Sequence, residues 1–248
     1  MTDHNKIRSY HSVLYKQRYL RISVFLILLI CFAYVLSGCT DNGDLINTET
    51  YEVPIENTPA VSLAVEETPK EVPDDELVKV LDYIPDIFIE LRYSTEDNFT
   101  GKIIYDFTDA YLRYGTVKKL AVVQERLAES GFYLKIWDAY RPVSAQFALW
   151  EACPDPAYVA DPNTGYSNHN RGNTVDVTLV TCDGEEIEMP TGFDDFSLFA
   201  DRDYTDISQA AMNNVMILEN AMEQNGFTCY FKEWWHYSDN VAYDVVTE

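Results

Sequence analysis

The order of apolar and polar positions divides the chain into three stretches. Ile22 to Leu36 (ISVFLILLICFAYVL) is almost wholly apolar. From Thr40 to about Asp75 acidic residues and prolines recur without a sustained period, which reads as a disordered tether. Short periodic segments begin near Leu77. Val78–Leu81 and Ile87–Tyr93 read as extended. Val117–Ser130 has helical spacing, with Leu120, Val123 and Leu127 on one side and Gly131 as its stop. Phe132–Trp137 alternates as a strand does, and Val143–Ala152 reads as a second helix opened by Pro142. Thr174–Val180 is rich in β-formers. Ser208–Gln224 reads as a third helix, with Ser208 as N-cap and Gly226 just past its end. Thr228–Phe231 and Trp234–Tyr237 follow as short strands. There is no βαβ alternation and no internal repeat. The expected class is α+β, a central antiparallel sheet flanked by helices.

The first apolar run has a context of its own. Lys6, Arg8, Lys16, Arg18 and Arg21 precede it, and Ser37, Gly38 and Cys39 follow. A basic region, an apolar run and small residues make an export signal. The run is shorter than the roughly 20 residues of a membrane-spanning helix. Leu36-Ser37-Gly38-Cys39 resembles a bacterial lipobox, which implies a lipid on Cys39 and membrane anchoring through it. An uncleaved signal anchor is the alternative. Either way the expected location is outside the cytoplasmic membrane. The expected division is a lipoprotein signal peptide over 1–38, an acidic tether over 39–76 and a folded domain over 77–248.

Composition supports one domain: 248 residues, 47% apolar and 14% aromatic, suffice for a core. Net charge is −23. Residues 1–38 hold five of the 18 basic residues and one of the 41 acids, leaving 13 against 40, or −27, beyond them. That balance excludes a nucleic-acid partner, which needs clustered Lys and Arg. It otherwise speaks to solubility. No protein partner is expected. Beyond Cys39 three cysteines remain, Cys153, Cys182 and Cys229, with no CxxC pair. They read as small buried thiols, with a disulfide as the alternative.

Histidine narrows the chemistry. Beyond the export segment only His169 and His236 remain. His169 lies in Ser167-Asn168-His169-Asn170-Arg171-Gly172-Asn173-Thr174-Val175-Asp176, and His236 in Glu233-Trp234-Trp235-His236. Catalytic zinc commonly takes three N and O ligands and leaves one position open. His169, Asp176 and His236 can supply three, with Glu233 free as a base. Gly172 suits a sharp reversal between the first two. Glu233 and His236 are three apart, so a plain strand would send them to different faces, and a turn or twist is required. Ion pairs between each histidine and its neighbouring acids are the alternative reading.

Four blocks in order carry a resemblance: Leu91 to Gly101 (LRYSTEDNFTG), Trp137 to Pro142 (WDAYRP), Ser167 to Asp176, and Glu233 to Tyr237 (EWWHY). Over about Leu81 to Tyr237 the chain resembles the VanX-type D-alanyl-D-alanine dipeptidases and, more broadly, the zinc D-Ala-D-Ala carboxypeptidases. The resemblance implies one zinc ion per chain on His169, Asp176 and His236, with Glu233 as catalytic base. It implies that Arg141 supports the transition state and that Asp194 holds the substrate's amino group. Ser167 and Tyr93 match positions near the substrate. The implied substrate is a small D-amino-acid peptide from the cell wall. Two departures stand out: Thr174 replaces a usual Ala, and the stretch between Trp150 and Ser167 is short. The second leaves a D,D-carboxypeptidase or endopeptidase acting on stem peptides as an alternative. A non-catalytic surface module that binds wall peptides is a further one.

Overall fold

The computed structural model describes residues 71–247. The expected signal peptide, Cys39 and most of the expected tether lie outside the described residues. In chain order the elements are β1 (Leu77–Lys79), β2 (Phe88–Ile89), β3 (Tyr111–Arg113), α1 (Tyr114–Ala128), β4 (Tyr133–Asp138), α2 (Val143–Ala152), β5 (Thr174–Val180), α3 (Gln209–Glu223), β6 (Phe227–Tyr230) and β7 (Glu233–Asp239). Short 3-10 turns lie between them, including Asn168–Arg171 just before β5.

The class is α+β, as the patterning implies. The main sheet has the order β2-β4-β5-β7-β6. It is mixed rather than wholly antiparallel: β2 runs parallel to β4, and the other pairings are antiparallel. A separate pair joins β1 to β3. The three residues of β3 run straight into α1, and so short a run does not mark a strand in the sequence. The expected extended segment 87–93 is a strand only at Phe88–Ile89 and then tightens into a turn over Arg92–Ser94.

β5 is buried at every position. Alternation sends Val175, Val177 and Leu179 into the apolar core and Thr174, Asp176 and Thr178 to the opposite face. The core side is closed by α1 and α3. Val117, Leu120 and Val123 on α1 and Val215, Leu218 and Met222 on α3 lose all exposure. Burying each such side chain contributes roughly 1.5–3 kcal/mol. Ser208 caps α3 through its Oγ, which accepts from Ala211 N at 3.0 Å. The three cysteines are free thiols, and they are not all buried: Cys182 is exposed, and Cys153 and Cys229 are half-buried. Among the described residues no helix is long and apolar enough to cross a membrane.

Gly172 closes the turn that precedes β5, with φ of 72° in the left-handed region. A Cβ there would meet Leu77 Cδ2 at 2.7 Å. Gly172→Ala is therefore expected to cost about 1–3 kcal/mol of stability. A denaturant midpoint equal to that of the unsubstituted chain would refute this account of the turn.

Candidate metal centre and active site

Two sequence motifs meet on one face of the sheet. The turn Asn168–Arg171 carries His169 and is shaped by a reciprocal cap. Ser167 Oγ accepts from His169 N at 3.3 Å, and Asn170 Oδ1 accepts from Ser167 N at 2.9 Å. Asn170 Nδ2 donates to Arg141 O at 2.8 Å, tying the turn to the segment after β4. Gly172 then reverses the chain so that Asp176 rises on β5. On the neighbouring strand β7, His236 sits directly opposite Asp176 in the register.

The three side chains converge. His169 Nε2 lies 3.4 Å from His236 Nδ1 and 3.3 Å from Asp176 Oδ2, and His236 Nδ1 lies 3.0 Å from Asp176 Oδ1. Bonds of about 2.0–2.1 Å from a tetrahedral ion imply ligand–ligand edges of about 3.3–3.4 Å. The observed triangle has that size. Tautomers fit as well. His169 Nδ1 lies 2.8 Å from Ala139 O, so its N–H donates there and leaves the Nε2 lone pair facing the triangle. Among the described residues this is the one cluster of His, Cys, Asp and Glu able to hold a metal ion. The donor set of two imidazoles and a carboxylate suits a divalent ion of the zinc type.

Glu233 stands beside the triangle, its Oε2 3.5 Å from His236 Nδ1. The spacing that a plain strand could not satisfy is met by an irregularity. Cys229 pairs with Tyr237 and Tyr230 with Glu233, so β7 advances four residues while β6 advances one. The excess lets Glu233 and His236 share a face. Trp234 and Trp235 are fully buried at this point, and Trp234 Nε1 donates to Thr191 Oγ1 at 2.9 Å.

A cavity of about 290 Å³ opens over these groups. Tyr93, Arg141, Ser167 and Asp194 line it with the triad and Glu233, so every residue expected at the site reaches one space. The short connection after α2 forms part of its wall, through Pro156 to Ala160 and Tyr166.

Arg141 is held on three sides. Its Nε and Nη2 donate to Asp138 Oδ2 at 3.1 and 2.6 Å, and its Nη1 donates to Gln146 Oε1 at 2.9 Å. Its guanidinium lies over the Tyr93 ring, 5.2 Å from the centroid. Asp138 also accepts from Tyr105 Oη at 2.7 Å and from Ala139 N at 2.9 Å. Asp138 lies inside the WDAYRP block and Gln146 in no motif; neither is singled out by the sequence, and their contacts with Arg141 show what they do.

Asp194 adopts φ of 55°, a left-handed conformation uncommon outside glycine. Its carboxylate accepts from Tyr93 Oη at 3.0 Å. Burial pushes its pKa up to about 7, with repulsion from Asp176 adding to that. Burial likewise pushes Glu233 up to about 7, against the opposing pull of His236. Burial alone would raise Asp176, but His169 and His236 overcome it and hold the carboxylate well below its ordinary value. Asp138, Asp176, Asp194 and Glu233 thus crowd around Arg141 and two imidazoles. Such a site is short of positive charge, which a divalent cation and a substrate ammonium would supply.

A profile of the D-ala-D-ala dipeptidase family, peptidase M15, matches residues 74–245. The chain is 40% identical over 162 residues to the D-alanyl-D-alanine dipeptidase of Escherichia coli (strain K12), an overlap of 65% of this chain and 83% of that one. It is 34% identical over 168 residues to the D-alanyl-D-alanine dipeptidase of Enterococcus faecalis (strain ATCC 700802 / V583), covering 60% and 83%. It is 34% identical over 173 residues to that of Streptomyces coelicolor (strain ATCC BAA-471 / A3(2) / M145), covering 60% and 84%. Since the profile runs from ahead of β1 to beyond β7 and takes in both histidine motifs, the chain belongs to the M15 peptidase family of D-ala-D-ala dipeptidases.

Proposed function

We propose that this chain is a zinc dipeptidase that hydrolyses D-alanyl-D-alanine outside the cytoplasmic membrane. The observation that carries the reading is the triangle of His169, Asp176 and His236, set beside Glu233 in one cavity with Asp194. A zinc ion held by the three donors supplies Lewis-acid polarisation of the scissile carbonyl and acidifies water at neutral pH. Glu233 takes the proton of the attacking water and delivers it to the leaving amine. Arg141 donates to the carbonyl oxygen as it gains negative charge, from a position already fixed by Asp138 and Gln146. Asp194, steadied by Tyr93, receives the ammonium of the dipeptide. Ser167 lies on the cavity wall, where it meets the remainder of the substrate.

The test is an assay of the purified, zinc-loaded chain on D-Ala-D-Ala, L-Ala-L-Ala and a pentapeptide ending in D-Ala-D-Ala, with products identified by mass spectrometry. Cleavage of the free D,D-dipeptide alone supports the proposal. Preference for the pentapeptide would replace it with a carboxypeptidase. Cleavage of none would leave a wall-peptide-binding module. The extracytoplasmic, lipid-anchored location rests on the segment around Cys39, and metabolic labelling with a fatty-acid probe tests it.

Asp194→Asn is expected to raise KM for the free dipeptide by about 10–100-fold, because a charge-assisted bond worth about 1.5–3 kcal/mol is lost. An N-acetylated peptide has no ammonium to lose, so its KM should barely move. Equal effects on the two substrates would remove Asp194 from the amine site.

A further inference from the structure

Arg202 lies outside the cavity, on the loop between β5 and α3, and its side chain is almost wholly buried. Its guanidinium is spent on the backbone of the β6–β7 hairpin. Nε donates to Tyr230 O at 2.9 Å, and Nη2 reaches Glu233 O, Trp234 O and His236 O at 3.1, 2.9 and 3.1 Å. Nη1 donates to Glu219 Oε2 on α3 at 2.6 Å. The guanidinium also stacks over Tyr237, 4.6 Å from the ring centroid. Tyr204 Oη donates to the same Glu219 oxygen at 2.7 Å, so the anchor is itself anchored.

These carbonyls belong to the stretch where β7 gains residues over β6. That irregularity puts Glu233 and His236 on one face. On the β6 side a bulge of this size has no regular ladder to keep it in shape, and pairing with β5 reaches only as far as His236. Only a planar fork with five donors can serve carbonyls on both strands and a carboxylate on a helix at once, and lysine offers three donors from one point.

We propose that Arg202 is a positioning residue for catalysis: by clamping the carbonyls of Tyr230, Glu233, Trp234 and His236 it fixes the base and one metal ligand relative to each other. The inference rests on the functional reading above. It concerns a residue that touches neither substrate nor metal.

The experiment compares the full chain with Arg202→Lys and Glu219→Gln, measuring kcat, KM, zinc affinity by chelator competition and the melting temperature. Arg202→Lys is expected to lower kcat about 10²-fold, as displacement of a catalytic group by about 1 Å does, with KM little changed. It is expected to weaken zinc binding about tenfold, at the low end of what disturbed ligand support causes. A purely structural arginine would give a different pattern: a lower melting temperature, with unchanged kcat and zinc affinity in the folded fraction. That pattern overturns the proposal. Should Arg202→Lys fail to fold, Glu219→Gln decides, because it keeps the arginine and weakens its tie to α3, leaving an amide oxygen for Tyr204 Oη. A fall in kcat at constant KM supports positioning, and an unchanged kcat overturns it. If the unsubstituted chain does not cleave D-alanyl-D-alanine, the functional reading fails alone, and the zinc affinities still decide the role of Arg202.

Discussion

Glu233→Gln is expected to lower kcat on D-alanyl-D-alanine by about 10²–10⁴-fold while one zinc ion stays bound per chain. Glutamine keeps the size of the side chain and its capacity to hydrogen-bond, but it cannot accept a proton at neutral pH. Glu233 sits next to the triangle without being part of it, so binding and chemistry should separate cleanly. Metal content by atomic emission and kcat on the same sample provide the check. Activity at the level of the unsubstituted chain would remove Glu233 from the base position. Loss of the metal would instead make it a ligand.

Arg141→Lys follows, with an expected loss of about 10²–10³-fold in kcat, the usual effect of removing a donor aimed at a developing oxyanion. The positive charge is retained, so the loss would measure the fork geometry. Alanine is the poorer probe. It would strand Asp138, which is fully buried, and breaking a buried pair from one side costs about 3–5 kcal/mol. Lysine leaves Asp138 a counter-charge. Melting temperature and kcat are read together. A lower melting temperature with unaltered kcat would reduce Arg141 to an ion-pair partner of Asp138.

Much of this site can be read from the chain because its groups lie in short polar words with unusual composition. His169 and Asp176 flank a glycine that does adopt a left-handed turn, and the helices expected at Val143–Ala152 and Ser208–Gln224 form within a residue of those bounds, whereas the one expected at Val117–Ser130 runs from Tyr114 to Ala128. Other features leave no trace in the local pattern. The expectation of a wholly antiparallel sheet fails at β2, where two residues pair parallel to β4, too few to carry a directional signal. β3 exists because β1 is beside it, not because Tyr111–Arg113 favours extension. The twist that Glu233 and His236 require can be demanded from spacing, yet its form, a surplus of residues in β7, depends on β6. Arg202 is the extreme case. Its partners are mostly backbone carbonyls, which every residue possesses, so no spacing rule identifies it.

Asp176 and His236 face each other across two strands, although 60 positions separate them along the chain. Until the last hairpin docks against β5, an incoming cation would find only two of the three proposed donors. Tight metal capture at the proposed site would therefore report that a non-local pairing has been made, and the ion, once seated, would oppose the reopening of that seam. With the proposed ion in place, the centre would serve as a latch on the completed sheet, making the reactive state and the fully assembled state one and the same.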